Sequence, residues 1–153
     1  MSGKKLLIVI PCYNEEEALP STLKRMETLM NKMLGEKLID KNSRVMFVDD
    51  GSADNTWQIL KKGVGKTPFF EALRLSRNFG HQSAILAGMF DNEADIYVTI
   101  DADLQDDPDC IVEMLQKIKA GADIVYGVRR ERSSDTWFKR VSAQAFYRLL
   151  LML

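Results

Sequence analysis

The chain has 153 residues, 46% hydrophobic and 28% charged, which is enough for one well-cored domain. Its formal net charge of −1 argues against a general nucleic-acid binder, which carries a strong basic excess. Cys12 and Cys110 make no disulfide framework, no run approaches the roughly 18 apolar residues of a membrane span, and no signal segment is read, so a reducing cytosolic setting is expected.

Lys4 to Ile10 is an apolar run that predicts a first buried strand, closed by Pro11. The turn from Pro11 to Pro20 leads into a helix expected from Ala18 to Met33. Its apolar positions Leu19, Leu23, Met26, Met30 and Met33 recur every three or four residues, and Gly35 ends it. Arg44 to Val48 predicts a second strand. The turn Asp49 to Thr56 then caps a short helix through Leu60. Phe69 to Leu75 predicts a third strand, Ser83 to Phe90 a short helix, and Ile96 to Ile100 a fourth strand. Pro108 opens a helix with Ile111, Met114, Leu115 and Ile118 facing inward, ended by Gly121. Asp123 to Tyr126 predicts a fifth short strand, Arg129 to Arg132 a basic loop, and a last helix starts near Asp135 or Thr136. Alternating strands and helices imply an α/β fold with a mostly parallel, doubly wound sheet.

The stretch Ile96 to Pro108 organises the rest. A β-branched run turns abruptly acidic at Asp101, Asp103, Asp106 and Asp107, at a strand's carboxyl end, where open α/β sheets hold their ligands. Asp101 and Asp103, two apart, could converge on one hard cation, with Gln105 as a further oxygen donor. Such a cation completes its shell with water and substrate phosphate. The alternative is an acidic loop that caps the next helix through Asp107 or Asp109. Two more acidic turns, Tyr13-Asn14-Glu15 and Asp49-Asp50, follow the first and second strands. In a parallel sheet all three turns share one edge. Like charges crowded there cost energy unless a cation or a ligand's donors neutralise them.

The segments PCYNEEEAL, VDDGSADNTW, LSRNFGHQSAILAGM, DADLQDDP and GVRRER stand in the order and spacing of family 2 glycosyltransferases. The set most resembles the polyprenyl-phosphate branch: dolichol-phosphate mannose synthases and bactoprenol glucosyltransferases. The resemblance implies a GT-A, Rossmann-like fold and inverting transfer of a hexose from UDP-glucose or GDP-mannose to a polyprenyl phosphate. It implies that Pro11, Tyr13 and Glu15 contact the base and ribose, and that Asp49 or Asp50, with Asp50 preferred, reads the base. Asp101, Asp103 and Gln105 match the family's metal (the DxD motif) and diphosphate site, with Mg2+ or Mn2+ as the implied cofactor. Asp103, Arg129 and Arg132 are the implied catalytic groups, the arginines facing phosphate. For Arg129, Arg130 and Arg132 the alternative is a solvated charge run. A phosphate monoester is largely dianionic at neutral pH, so a lipid-phosphate acceptor needs little help from a general base. His81, the only histidine, is read as a structural loop residue.

Two other motifs fail. Gly65-Lys66-Thr67 ends like a phosphate-binding loop, but Leu60 stands where its first glycine belongs and Pro68 follows. Asp101, Asp103 and Gln105 begin like a calcium loop, but Asp106 and Val112 occupy the glycine and bidentate-glutamate positions.

Residues 1–135 are expected to form the nucleotide-sugar core. Residues 136–153 are expected to begin an amphipathic helix, either at a membrane interface or against core partners from further along the chain. The apolar end Leu149 to Leu153 reads as an interruption, and it is expected to drive self-association or membrane binding. The family resemblance places the full-length parent on the cytoplasmic side of a membrane, in cell-envelope work. The competing functions are a truncated fragment that binds nucleotide without turnover, transfer to a sugar hydroxyl, and a non-catalytic interaction module.

Overall fold

The computed structural model describes residues 3–105 and 107–128. The described residues up to Asp123 form one compact unit. It holds a four-stranded parallel sheet in the order β3-β2-β1-β4. Its strands are β1 (Leu6–Cys12), β2 (Arg44–Asp49), β3 (Phe70–Arg74) and β4 (Ile96–Thr99). The helices between and after them are α1 (Leu19–Gly35), α2 (Thr56–Val64), α3 (His81–Phe90) and α4 (Cys110–Lys119).

β1 is buried along its whole length because helices cover both faces of the sheet. Leu6, Ile8, Ile10, Val45, Phe47 and Phe70 face the layer of α1, α2 and α4, where they meet Met26, Met30, Leu60 and Ile111. The alternate residues Leu7, Val9, Met46 and Val48 face α3 through Ala84. α3 lies close to the sheet at Gly88, where a Cβ would stand 2.7 Å from Val9 Cγ1 and 2.8 Å from Val48 Cγ2.

β1 runs on through Pro11 to Cys12, two residues past the predicted stop. In a parallel strand the N–H and C=O of one residue point to the same side. The Val9 carbonyl accepts from Ile100 on the β4 side, and the Cys12 carbonyl accepts from Asp50 on the β2 side. Pro11 therefore points its missing N–H toward β4, which has already ended, so no ladder bond is lost.

α2 runs on to Val64, past the expected end at Leu60, and α3 begins at His81, two residues early. In α4 only Ile111 is fully buried; Met114, Leu115 and Ile118 are half-buried. The predicted fifth strand is a correction: Asp123 to Tyr126 makes no strand, and Ile124 and Tyr126 are exposed. A short β-branched and aromatic run makes a strand only where a neighbour supplies the ladder. The boundary expected between residues 135 and 136, the last helix and the apolar end all lie outside the described residues. Among the described residues no helix is long and apolar enough to cross a membrane.

Candidate functional site

The strand order changes direction between β1 and β4, and the crevice at such a switch point is where open α/β sheets bind ligands. A cleft of about 310 Å3 opens there, lined by Pro11, Tyr13, Glu15, Asp50, Asp101 and Asp103. Pro11 lies near the end of β1, and the others come from three turns far apart in sequence, each following a strand at the sheet's carboxyl edge. Asn78, Gly80 and His81 complete the rim from the loop that follows β3.

The first two turns are laced together. Asn14 N–H donates to Ser52 Oγ at 2.9 Å, and Ala53 N–H returns a bond to Asn14 Oδ1 at 3.0 Å. Glu15 N–H donates to Thr56 Oγ1 at 2.8 Å, and Glu16 N–H to Asp54 Oδ2 at 3.1 Å. Asn55 donates its backbone N–H and its Nδ2 to Glu16 Oε2. The polar residues of VDDGSADNT thus hold Glu15 at the cleft by its backbone and leave its carboxylate toward Asp103.

Asp49 and Asp50 have opposite fates, because successive side chains of a strand leave on opposite faces. Asp49 is fully buried and lies off the cleft. Its Oδ1 accepts from Ser52 N–H at 3.0 Å, and its Oδ2 faces Arg74 Nε at 3.0 Å as an ion pair. Asp50 faces the cleft, yet its carboxylate is committed to backbone: Oδ1 accepts from Phe79 N–H at 2.8 Å and Oδ2 from Gly80 N–H at 2.9 Å. Gly51, at φ 70°, packs against the Arg77 backbone, where any Cβ would collide at 2.5 Å. The β2 turn therefore fixes the loop that delivers α3 to the site.

On the far side, Asp101 and Asp103 flank buried Ala102. Leu104, at φ 54°, bends the chain, and Asp103 Oδ1 accepts from Gln105 N–H at 3.0 Å. Gln105 itself is exposed and is absent from the cleft lining. His81, read from sequence as a structural loop residue, is the first residue of α3 and lines the cleft with Nε2 3.7 Å from Asp101 Oδ1. Its proximity could have been inferred, since the loop after β3 shares the sheet edge with the acidic turns. Arg129, Arg130 and Arg132 lie outside the described residues.

The cleft is electronegative. Burial, and then the charges of Asp103, Asp54 and Asp101, hold the Glu15 carboxyl above its ordinary value. Burial pushes the Cys12 thiol up, so this lining residue is an inert thiol and not a nucleophile. Among the described residues no three His, Cys, Asp or Glu side chains form a metal cage. A pair of carboxylates in a crowded anionic cleft instead suits a hard divalent cation that keeps open positions for water and phosphate. Asp101 and Asp103 fit that demand.

Comparison with known proteins agrees with this architecture. The chain is 44% identical over 147 residues to the uncharacterized glycosyltransferase YkoT of Bacillus subtilis (strain 168). That alignment takes in 95% of this chain and 44% of YkoT, so the chain spans less than half of that relative's length. Among solved structures, S. aureus TarS 1–349 in complex with UDP superposes with a TM-score of 0.51 at 25% identity, over 65% of this chain and 27% of that one. The mannosyltransferase PcManGT of Pyrobaculum calidifontis, in complex with GDP-Man and Mn2+, superposes at 0.58 with 19% identity, over 72% and 31%. The profile of the family "Glycosyl transferase family 2" matches residues 7–152, from the start of β1 almost to the end of the sequence, and the chain belongs to that family.

Proposed function

We propose that this chain carries the donor-binding half of an inverting glycosyltransferase. The reaction moves a hexose from UDP-glucose or GDP-mannose to a polyprenyl phosphate. One observation carries the reading: Pro11, Tyr13, Glu15, Asp50, Asp101 and Asp103, drawn from the end of β1 and three separate turns, line a single cleft at the switch point of the sheet. The UDP of the TarS complex and the GDP-Man and Mn2+ of the PcManGT complex support a nucleotide-sugar ligand and a divalent cation.

Half-exposed Tyr13 and buried Pro11 offer an apolar wall to the base, and the β2 turn closes its far side. Asp101 and Asp103, with Gln105 nearby in sequence, would hold Mg2+ or Mn2+. The cation supplies neutralisation of the charge that develops on the leaving diphosphate. Asp103 and His81 sit on the rim beside the place that diphosphate would take. The family resemblance assigns Arg129 and Arg132 to phosphate, where arginine would offer fixed donors to the acceptor. A dianionic lipid phosphate is its own nucleophile, in keeping with a cleft whose carboxylates are placed for binding. A lipid-phosphate acceptor would put the reaction at the cytoplasmic face of a membrane.

A second reading, a chain that binds donor without turnover, is favoured by one fact: it spans 44% of YkoT. The test measures binding of UDP, UDP-glucose and GDP-mannose with Mn2+ or Mg2+. It then compares transfer to a short polyprenyl phosphate by this chain and by a longer one extending through the remaining length of its relatives. Metal-supported binding by both, with transfer only by the longer chain, is expected. Transfer to a sugar hydroxyl but not to the lipid phosphate overturns the acceptor. No nucleotide binding by either chain overturns the reading as a whole.

A further inference from the structure

We propose that Thr22 on α1 is a positioning residue for the Asp101–Asp103 turn, and that α1 sets the spacing of the two carboxylates. The inference rests on reading those carboxylates as the metal and diphosphate site.

Thr22 is the polar member of a buried stripe otherwise made of Leu19, Met26, Leu29, Met30 and Met33. A hydroxyl on such a stripe costs stability unless it is paired. Its Oγ1 lies 2.6 Å from the Ala102 carbonyl oxygen and 3.0 Å from the Ala18 carbonyl oxygen. A hydroxyl has one proton to give, and the shorter contact takes it to Ala102. Ala102 is the residue between the two aspartates, itself buried, so this bond fixes the Ala102–Asp103 peptide, one of the two that join them.

The strand ladder cannot do this work. β4 ends at Thr99, and the last bond to β1 runs from Ile100 N–H to the Val9 carbonyl. Beyond Ile100 the grip passes to α1. Three residues after Thr22, on the same helix face, Arg25 Nη2 donates to Asp109 Oδ2 at 2.6 Å and to Asp107 Oδ1 at 3.2 Å. The helix thus holds the acidic loop at both ends, with the ligand pair at the buried end.

The experiment titrates UDP at increasing Mn2+ into the wild-type chain, T22V and T22S, with far-ultraviolet circular dichroism to follow folding. Valine keeps the shape and removes the donor; serine keeps the donor. T22V should need about tenfold more Mn2+ for half-maximal UDP binding, the order seen when a group that orients a metal ligand is lost. T22S should match the wild type, and UDP binding without metal should be unchanged in both. R25A, which alters a part-exposed side chain, serves if T22V does not fold, and should shift the Mn2+ requirement in the same direction. Wild-type Mn2+ dependence in T22V, or in R25A where T22V does not fold, overturns the inference. So does an equal loss of metal-free and metal-supported binding, the mark of a merely structural role. If the wild-type chain gains no UDP affinity from Mn2+, the metal reading of the site fails first and takes this inference with it.

Discussion

The Asp50 carboxylate accepts the backbone N–H of Gly80 at 2.9 Å on one wall of the cleft, and that of Phe79 at 2.8 Å. One side chain thereby ties the β2 turn to the loop that starts α3. Asp50→Ala frees both donors and lets that wall drift. The expected cost is about 1–3 kcal/mol of stability, from two amides left unpaired. Discrimination among UDP, GDP and CDP should collapse, while pyrophosphate binding, which depends on the opposite wall, stays near wild type. Calorimetric titration of the four ligands checks this, and equal losses for UDP and pyrophosphate would argue against it.

Asp101→Asn and Asp103→Asn each remove one anionic ligand without changing shape. Metal-supported UDP or GDP affinity should fall tenfold or more, about 1.4 kcal/mol, in either variant. Titration with and without Mn2+ separates this from a general loss of binding. Unchanged affinity in both variants removes the metal role.

Glu15→Gln should stabilise the free chain at neutral pH. Burial and neighbouring aspartates hold this carboxyl above its ordinary value of 4.5, so the folded chain binds the proton more tightly than the unfolded chain does. Stability therefore falls as pH rises from the ordinary value through the raised one, and the penalty is complete above it. Glu15 is partly solvated, which keeps the effect small: a rise in Tm of about 2 °C for the variant at neutral pH. The advantage should vanish once the pH drops below the ordinary glutamate range. Thermal scans across pH decide it, and a variant less stable at neutral pH contradicts the assigned cause.

Gly88→Ala should weaken the core. The new methyl would meet Val9 Cγ1 at 2.7 Å and Val48 Cγ2 at 2.8 Å, so α3 must lift or the valines must leave their rotamers. Overpacking of this kind costs about 1–3 kcal/mol. Because α3 carries His81 to the cleft, nucleotide binding should fall along with stability. Urea denaturation paired with UDP titration checks both, and wild-type stability would show that the helix has room to shift.

The local pattern determined much of this protein. Apolar runs pointed to β1, β2 and β4, and spacing by three and four over Leu19 to Met33 pointed to α1, because burial on a two-faced sheet or a single helix stripe leaves a direct trace in residue order. The three acidic turns were legible for the same reason: each follows a strand, and parallel strands put all their carboxyl ends on one edge. The family resemblance named the same turns. What residue order could not carry was which side chains meet. Asp49 and Asp50 are neighbours of equal chemistry, and the pleat alone buries one against the Arg74 guanidinium and sends the other to the cleft. His81 looked like a loop residue until the early start of α3 set it beside Asp101. The strand read over Asp123 to Tyr126 had the right residues and pairs with no strand among the described residues, since a ladder is a property of two segments and propensity belongs to one. Nothing in residue order marked Thr22; only the fold, by closing 80 residues of sequence to 2.6 Å, made it a contact to the turn that bears Asp101 and Asp103.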